Sequence, residues 1–422
     1  VGDRDDARHQ RRGIRRTGER DEMNVLFIHQ NFPGQFVHLA AHLAKEKRNK
    51  VVALTVHDNP PIKGVAVREY TMLRPSAPET HPMLRDQEAS MLHAEACAAA
   101  ALQLKREGFT PDVIVAHPGW GEALFLKDVF PHAKLVLYCE YYYAAEGQDV
   151  GFDPEVPPLT FAQRCRLRMK NSTNLLSMEI ADAAISPTEW QKSTYPAWAQ
   201  EKITVIHDGI DLEKLKFNPK ARITLAANGS KPSFTFKPGD EVLSYVARNL
   251  EPVRGFQVFM RTLPEVLRRR PDAHAIVVGG DGVSYGHQAP GGVSWKEHLL
   301  AEVGDQLDMN RVHFVGKVPY QSYLDLLSIS RVHAYWTTPF VLSWSFLEAA
   351  LSGLPVMASD TAPVREFSDL LSINTAGFFE KDAFAEHLSE ELRRPAKRAC
   401  VIQAEALSLS NCLQHQLRLL RM

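Results

Sequence analysis

Residues 335–367 read YWTTPFVLSWSFLEAALSGLPVMASDTAPVREF, and this stretch decides the fold. The apolar run VHAYW at its start has the length and composition of a buried strand. A loop follows, then a helix from about Ser343 to Leu351, which Gly353 and Pro355 terminate. VMAS, residues 356–359, reads as the next strand. A strand, loop, helix, strand succession is the unit of a parallel sheet, because parallel neighbours need a crossover. One acid, Glu348, stands inside the otherwise apolar helix. Its charge requires a polar partner, and a sugar or ribose hydroxyl can serve. The loop before the helix presents free backbone N–H groups to an anion. These features point to a site for a nucleoside diphosphate carrying a polyol.

The same grammar runs outward through the chain. MNVLFIHQNFPGQF gives a strand (Val25 to His29), a Pro33-Gly34 loop and a helix from Phe36 to Ala44. Further strands are expected at Lys50 to Val56, in VAVREY, at Val113 to Ala116 and in KLVLYCEYYY, with a long Ala-rich helix from Met83 to Glu107. LTFAQRCRLRMKNSTNLLSMEI reads as one helix, and AAISP and Ile203 to Ile206 as strands. The second half restarts with the strand EVLSYVAR, the helix FQVFMRTLPEVLRRR and the strand HAIVVGG. RVHFVGKV, YQSYLDLLSIS and VHAYW follow as strand, helix and strand. Alternation throughout predicts an α/β chain of two parallel sheets wrapped by helices. The first strand is not followed by GxGxxG, which disfavours an NAD-dependent dehydrogenase.

A chain of 422 residues accommodates two domains of about 200 each. Residues 1–22 hold almost no apolar side chain and alternate arginine with acid. They read as a disordered extension. Residues 23–216 form the first expected domain, 217–238 a linker and 239–395 the second domain. Residues 396–422 are expected to be a helix that packs back toward the first domain. A formal net charge of −1 gives no global field for nucleic acid. Cys97, Cys139, Cys165, Cys400 and Cys412 show neither CxxC nor metal spacing, so a reducing, cytoplasmic setting is expected. No apolar run is long enough for a membrane span. Arg164, Arg166, Arg168 and Lys170 form a basic cluster. It is compatible with peripheral contact at the inner face of a membrane, although a solvated helix face accounts for it more simply.

Several motifs, in this order and spacing, resemble those of the family 4 retaining glycosyltransferases of GT-B architecture. The resemblance covers residues 23–422. It implies two facing Rossmann-like domains, with a nucleotide-sugar donor held mainly by the second and the acceptor by the first. In YVARNLEPVRGF, Arg248 and Arg254 match the two cations that neutralise the leaving diphosphate, with arginine where the family has lysine. Glu348 matches the second glutamate of the family's paired-glutamate motif, which binds ribose hydroxyls. The first glutamate, which contacts the donor sugar, is replaced by Phe340. Leu342 and Ser343 replace a Phe-Gly pair, and with Trp344 they are expected to reach sugar or phosphate. A Ser side chain can also cap the helix.

The resemblance assigns further donor contacts to Gly34, to Gly279 and Gly280 in GGDGVSYG, and to Lys317 and Val318 in FVGKVPY. His117, at the end of the strand VIVA, matches a histidine that faces the donor sugar. Glu140, Tyr141 and Tyr142 end the next strand and are candidates for an acceptor pocket. Core packing explains the tyrosines as well, and a salt bridge to Arg365 explains Glu348 as well. The implied activity is metal-independent, retaining transfer from a UDP- or GDP-sugar to an acceptor hydroxyl. No cofactor is expected. Glycan, lipid-linked sugar and small-molecule acceptors all remain open. A sugar-nucleotide epimerase and a non-catalytic partner subunit are the alternatives.

Overall fold

The computed structural model describes residues 22–227, 232–395, 398 and 404–422. The expected extension, except Glu22, and Cys400 lie outside the described residues. The first sheet is built from β1 (Asn24–Ile28), β2 (Lys50–Thr55), β3 (Val65–Glu69), β4 (Val113–Ala116), β5 (Lys134–Tyr138), β6 (Ala183–Ser186) and β7 (Ile203–Val205). A short antiparallel hairpin, β8 (Ile223–Leu225) and β9 (Phe234–Phe236), follows. The second sheet comprises β10 (Val242–Asn249), β11 (His274–Gly280), β12 (Val312–Gly316), β13 (Val332–Tyr335), β14 (Val356–Ser359) and β15 (Asn374–Ala376). Their orders are β3-β2-β1-β4-β5-β6-β7 and β12-β11-β10-β13-β14-β15, with every pair parallel.

Each sheet is covered by helices on both faces, which is why its central strands are apolar along their whole length. Val25, Leu26 and Phe27 are fully buried, as are Val332 and Trp336 around β13. Trp336 is sandwiched by helices. Its ring stacks on Phe384 at 3.9 Å and meets Phe259 edge-on. Burying a large apolar side chain of this kind contributes about 1.5–3 kcal/mol.

Two segments differ from the sequence expectation. The single helix read across residues 159–180 is two, Phe161–Lys170 and Ser172–Ile180, meeting at Asn171. Asn171 spends its amide on the Tyr143 backbone, both donating and accepting. The segment read as aperiodic linker carries the β8–β9 hairpin. Phe236 of that hairpin is buried with Val242 and Ile276 of the second sheet. Three-residue strands are too short to show a period.

The helix Leu409–Arg421 lies against the first sheet. Leu413 and Leu420 join the cluster of Val25 and Phe27. Lys134 Nζ donates to the Leu419 carbonyl at 2.5 Å, and Gln416 Nε2 donates to the His207 carbonyl at 3.2 Å. No helix among the described residues is long and apolar enough to cross a membrane.

In each sheet the chain starts in the middle, walks to one edge, and returns to extend the other. The reversal falls between β1 and β4 in the first sheet and between β10 and β13 in the second. Loops diverge at the carboxyl ends of such strands and leave a crevice where ligands bind. The two reversal points face each other. Burial is the main cause of His29's lowered pKa, and the charge of Arg248, near the end of β10, adds to it from across the gap.

Candidate active site between the two sheets

On the first sheet, β1 ends in His29, β4 in His117 and β5 runs on to Glu140. Gln35 links His29 to Glu140, and His117 bonds Glu140 directly. The Asn31 N–H donates to His29 Nδ1 at 3.0 Å, and the Gly119 N–H donates to His117 Nδ1 at 3.1 Å. A backbone N–H can only donate, so both imidazoles carry their proton on Nε2. His29 Nε2 therefore donates to Gln35 Oε1 (2.7 Å), Gln35 Nε2 donates to Glu140 Oε1 (2.8 Å), and His117 Nε2 donates to Glu140 Oε2 (3.2 Å). Every donor in the chain points toward Glu140.

Burial works to raise the Glu140 pKa, but the hydrogen bonds from His117 and Gln35 outweigh it and hold the carboxyl below its usual range. Its side chain remains 27% exposed, so an ionised, pre-oriented acceptor looks into the cleft. Burial lowers His29 to about 4 and keeps it neutral. Trp120 stacks on His117 at 3.9 Å and meets His29 edge-on, fixing both rings. Gly34 covers His29 at φ +47°. A Cβ there would lie 2.5 Å from the imidazole, so only glycine fits.

On the second sheet, Arg254 follows β10 in a short turn. Gly255, at φ +64°, ends that turn, and a Cβ there would overlap Trp336 at 2.2 Å. Arg254 is 7% exposed. Its Nη1 alone donates to the Thr337 hydroxyl (2.8 Å), the Val341 carbonyl (2.8 Å) and the Tyr335 hydroxyl (3.3 Å). Those acceptors are neutral, and Nη2 and Nε have no acceptor among the described residues. A buried cation without an acid costs several kcal/mol in desolvation, so an anion at its free face is favoured. Arg248 donates only to the Tyr285 hydroxyl at 3.3 Å, and Lys317 has no acid partner among the described residues. Lys317 lies along Gly280 at the end of β11, where a Cβ would be 2.9 Å from its Cε.

The loop after β13 leads into the helix Trp344–Leu351. No acceptor among the described residues takes the N–H of Trp344 or Ser345, which are left for an anion. Ser343 makes no side-chain cap, and its hydroxyl meets that of Ser345. Leu342 is buried in the core beneath the helix. Glu348 is buried and accepts from the Tyr320 hydroxyl at 2.7 Å; burial raises its pKa, partly offset by Tyr320 and Tyr323. Arg365 pairs with Asp360 instead.

The glycine-rich loop after β11 is occupied by its own chain. Glu251 accepts the N–H groups of Ser284, Tyr285 and Gly286. Gly279 lies against Leu250, and Val318 packs into the core. Tyr142 packs against the first-sheet core, 5.4 Å from Tyr195. Tyr141 crosses the gap, its ring 4.7 Å from Phe340.

His29, Tyr285, Tyr320 and Asp208 were missed in the sequence reading. His29 ends β1 as His117 ends β4, so the same signal was there. Asp208 bridges the halves. It accepts from the Tyr138 hydroxyl at 2.8 Å and from Trp344 Nε1 at 2.9 Å. Trp344 also stacks loosely on His38. Burial, opposed by these hydrogen bonds, raises the Asp208 carboxyl to about 7. A folded-state pKa above the ordinary one means stability present at low pH and lost as pH rises through about 7. Wild-type melting temperature should therefore fall relative to Asp208→Asn between about pH 4 and about pH 7, and run parallel to it above that. Parallel melting curves already between about pH 4 and about pH 7 would remove Asp208 as a pH-sensitive tie.

The comparisons agree with this geometry. Residues 47–215 match the family model described as glycosyl transferase family 4 group, and residues 240–394 match glycosyl transferases group 1. Among curated proteins no sequence matches. Sucrose-phosphate synthase from Thermosynechococcus elongatus is similar in fold, with TM-score 0.64 at 15% identity over 95% of this chain and 98% of that one. An alpha,alpha-trehalose-phosphate synthase (UDP-forming) from Burkholderia vietnamiensis also gives TM-score 0.64, at 12% identity over 95% of this chain and 100% of that one. With family models matching both halves of the chain and two parallel sheets meeting at their reversal points, the protein belongs to the group 1 glycosyltransferases of GT-B fold.

Proposed function

We propose that this enzyme transfers a sugar, with retention of anomeric configuration, from a nucleoside-diphosphate sugar to an acceptor hydroxyl. The observation that carries this reading is Arg254, a buried guanidinium anchored on neutral acceptors through one nitrogen and open on its other side. Arg248, Lys317 and the free N–H groups of Trp344 and Ser345 complete an electropositive corner. A diphosphate gains charge as its bond to the sugar breaks. Fixed cations at that point stabilise the transition state more than the ground state. With leaving-group charge met by guanidinium groups, turnover is expected to be insensitive to a chelator.

Glu348 and Tyr320 would receive the nucleoside, the carboxyl taking a ribose hydroxyl and the exposed tyrosine ring offering a face to the base. His117 and Glu140 would orient hydroxyls of the reacting partners from the other half. Retention fits attack from the face that the leaving group departs, with a phosphate oxygen taking the acceptor proton. The Glu140 carboxylate is held by Gln35 and His117, one on each oxygen, which suits it to orient a hydroxyl.

Titration of UDP, GDP, ADP and dTDP tests this reading directly. One of them is expected to bind, and Glu348→Ala should weaken it about tenfold, the loss of one charge-assisted hydrogen bond. If none binds, the transfer reading fails. If one binds and Glu348→Ala leaves its Kd unchanged, Glu348 is outside the donor site.

A further inference from the structure

The group joined to the diphosphate must lie between the cations of the second sheet and the carboxylate of the first. An aromatic cluster occupies that position. The Phe340 ring lies 4.7 Å from Tyr141, which follows Glu140, and 5.0 Å from Tyr285, which holds Arg248. The Arg254 guanidinium is 5.7 Å from both the Phe340 and Tyr285 rings. Each tyrosine hydroxyl has one protein partner, and the Tyr285 O–H keeps its proton to donate. Tyr141 donates to Asp149 at 2.6 Å, and the Tyr285 oxygen receives Arg248. Of the neighbouring loop residues, the Thr337 hydroxyl and the Val341 carbonyl accept from Arg254, Leu342 is in the core, and the Thr338 hydroxyl is buried. On this side the sugar would meet mainly the ring carbons of Phe340, Tyr141 and Tyr285. On the other it would meet Glu140 and His117.

We propose that Phe340, Tyr141 and Tyr285 form an apolar wall of the sugar subsite that selects a deoxygenated donor, one presenting hydrogen or methyl where a common hexose carries a hydroxyl. This rests on the nucleotide-sugar reading above. A hydroxyl pressed on the wall gives up its water without gaining a partner, whereas a C–H or methyl group loses nothing and packs on the rings. An apolar site rejects an added hydroxyl by up to about a hundredfold. The polar edge, Glu140 and His117, fixes which way round the sugar sits.

The test uses the full chain and two measurements. Free UDP, GDP, ADP and dTDP are titrated first to choose the base. The hexose conjugate of that base is then compared by calorimetry with its 3-, 4- and 6-deoxy analogues. At least one analogue is expected to bind about tenfold or more tightly than its parent. Phe340→Glu, which supplies an acceptor, should erase or reverse the preference, and Phe340→Leu should keep it. Should Phe340→Glu fail to fold, Phe340→Gln offers the same hydroxyl a neutral partner, and the wild-type comparison decides the matter alone. Parents that bind as tightly as every analogue overturn the proposal while leaving nucleotide binding intact, as does a preference that survives Phe340→Glu or Phe340→Gln. Absence of any nucleotide binding overturns the transfer reading, and this one with it.

Discussion

Arg254→Met should reduce transfer by about a thousandfold, the scale reported for removing a preorganised charge-stabilising donor. Affinity for free nucleoside diphosphate should fall less, by about tenfold to a hundredfold, because a charged hydrogen bond contributes about 1.5–3 kcal/mol to a ground-state complex. The split matters. A residue that only shaped the loop would lower both by similar factors. Methionine fills the space of the arginine stem but leaves the Thr337 hydroxyl and the Val341 carbonyl without their donor. A modest drop in melting temperature is expected for that reason, and no unfolding at the assay temperature. Arg254→Lys should fall between the two, since an ammonium keeps the charge but cannot hold three acceptors and face a phosphate at once. Initial rates of nucleotide release and calorimetric titration, run on the same folded sample, check this. Wild-type turnover in Arg254→Met would remove the diphosphate role.

Glu140→Gln should cost about a hundredfold to a thousandfold in turnover with nucleotide affinity nearly unchanged. The reason lies in donor bookkeeping. Glu140 receives two donors, one on each oxygen. A glutamine has only one oxygen, so its amide nitrogen must face either Gln35 Nε2 or His117 Nε2, donor against donor. His117 cannot escape by exchanging its proton, because the Gly119 N–H occupies Nδ1. Gln35 cannot turn over without opposing its nitrogen to His29 Nε2, whose tautomer the Asn31 N–H sets in turn. A single isosteric change thus unsettles four side chains on the first sheet and leaves Arg254 and Glu348 untouched. Glu140→Gln with unchanged turnover would show that the carboxylate orients nothing during the reaction.

Strand positions were legible because parallel strands covered on both faces are apolar runs, and VLFI, VIVA, VHAY and VMAS all declare themselves this way. Helix positions followed from apolar spacing. The β8–β9 hairpin did not, because ITL and FTF are shorter than any period they could show. Residues of the candidate site divide along similar lines. Glu348 stands out because a charge inside an apolar helix is locally anomalous, whereas Arg248 and Arg254 were legible only through the resemblance of YVARNLEPVRGF to the family motif. Asp208, Tyr285 and Tyr320 stand in ordinary local surroundings and matter only through partners 28 to 136 positions away, such as Trp344 for Asp208.

What the sequence by itself determined is the alternation of strand and helix in two halves, and the kind of chemistry at the strand ends. Local hydrophobic period and local charge are properties of neighbouring residues. Tertiary structure alone decided how these groups are spent. It showed that the glycine-rich loop gives its N–H groups to Glu251, that Arg254 keeps one side free, and that His117 holds its proton toward Glu140 while His29 holds its own toward Gln35. It also brought Phe340 against Tyr141, a contact between residues 199 positions apart by numbering. Hydrogen bonds saturate and buried charges demand partners, so the free capacity of each group depends on which distant residues folding delivers to it.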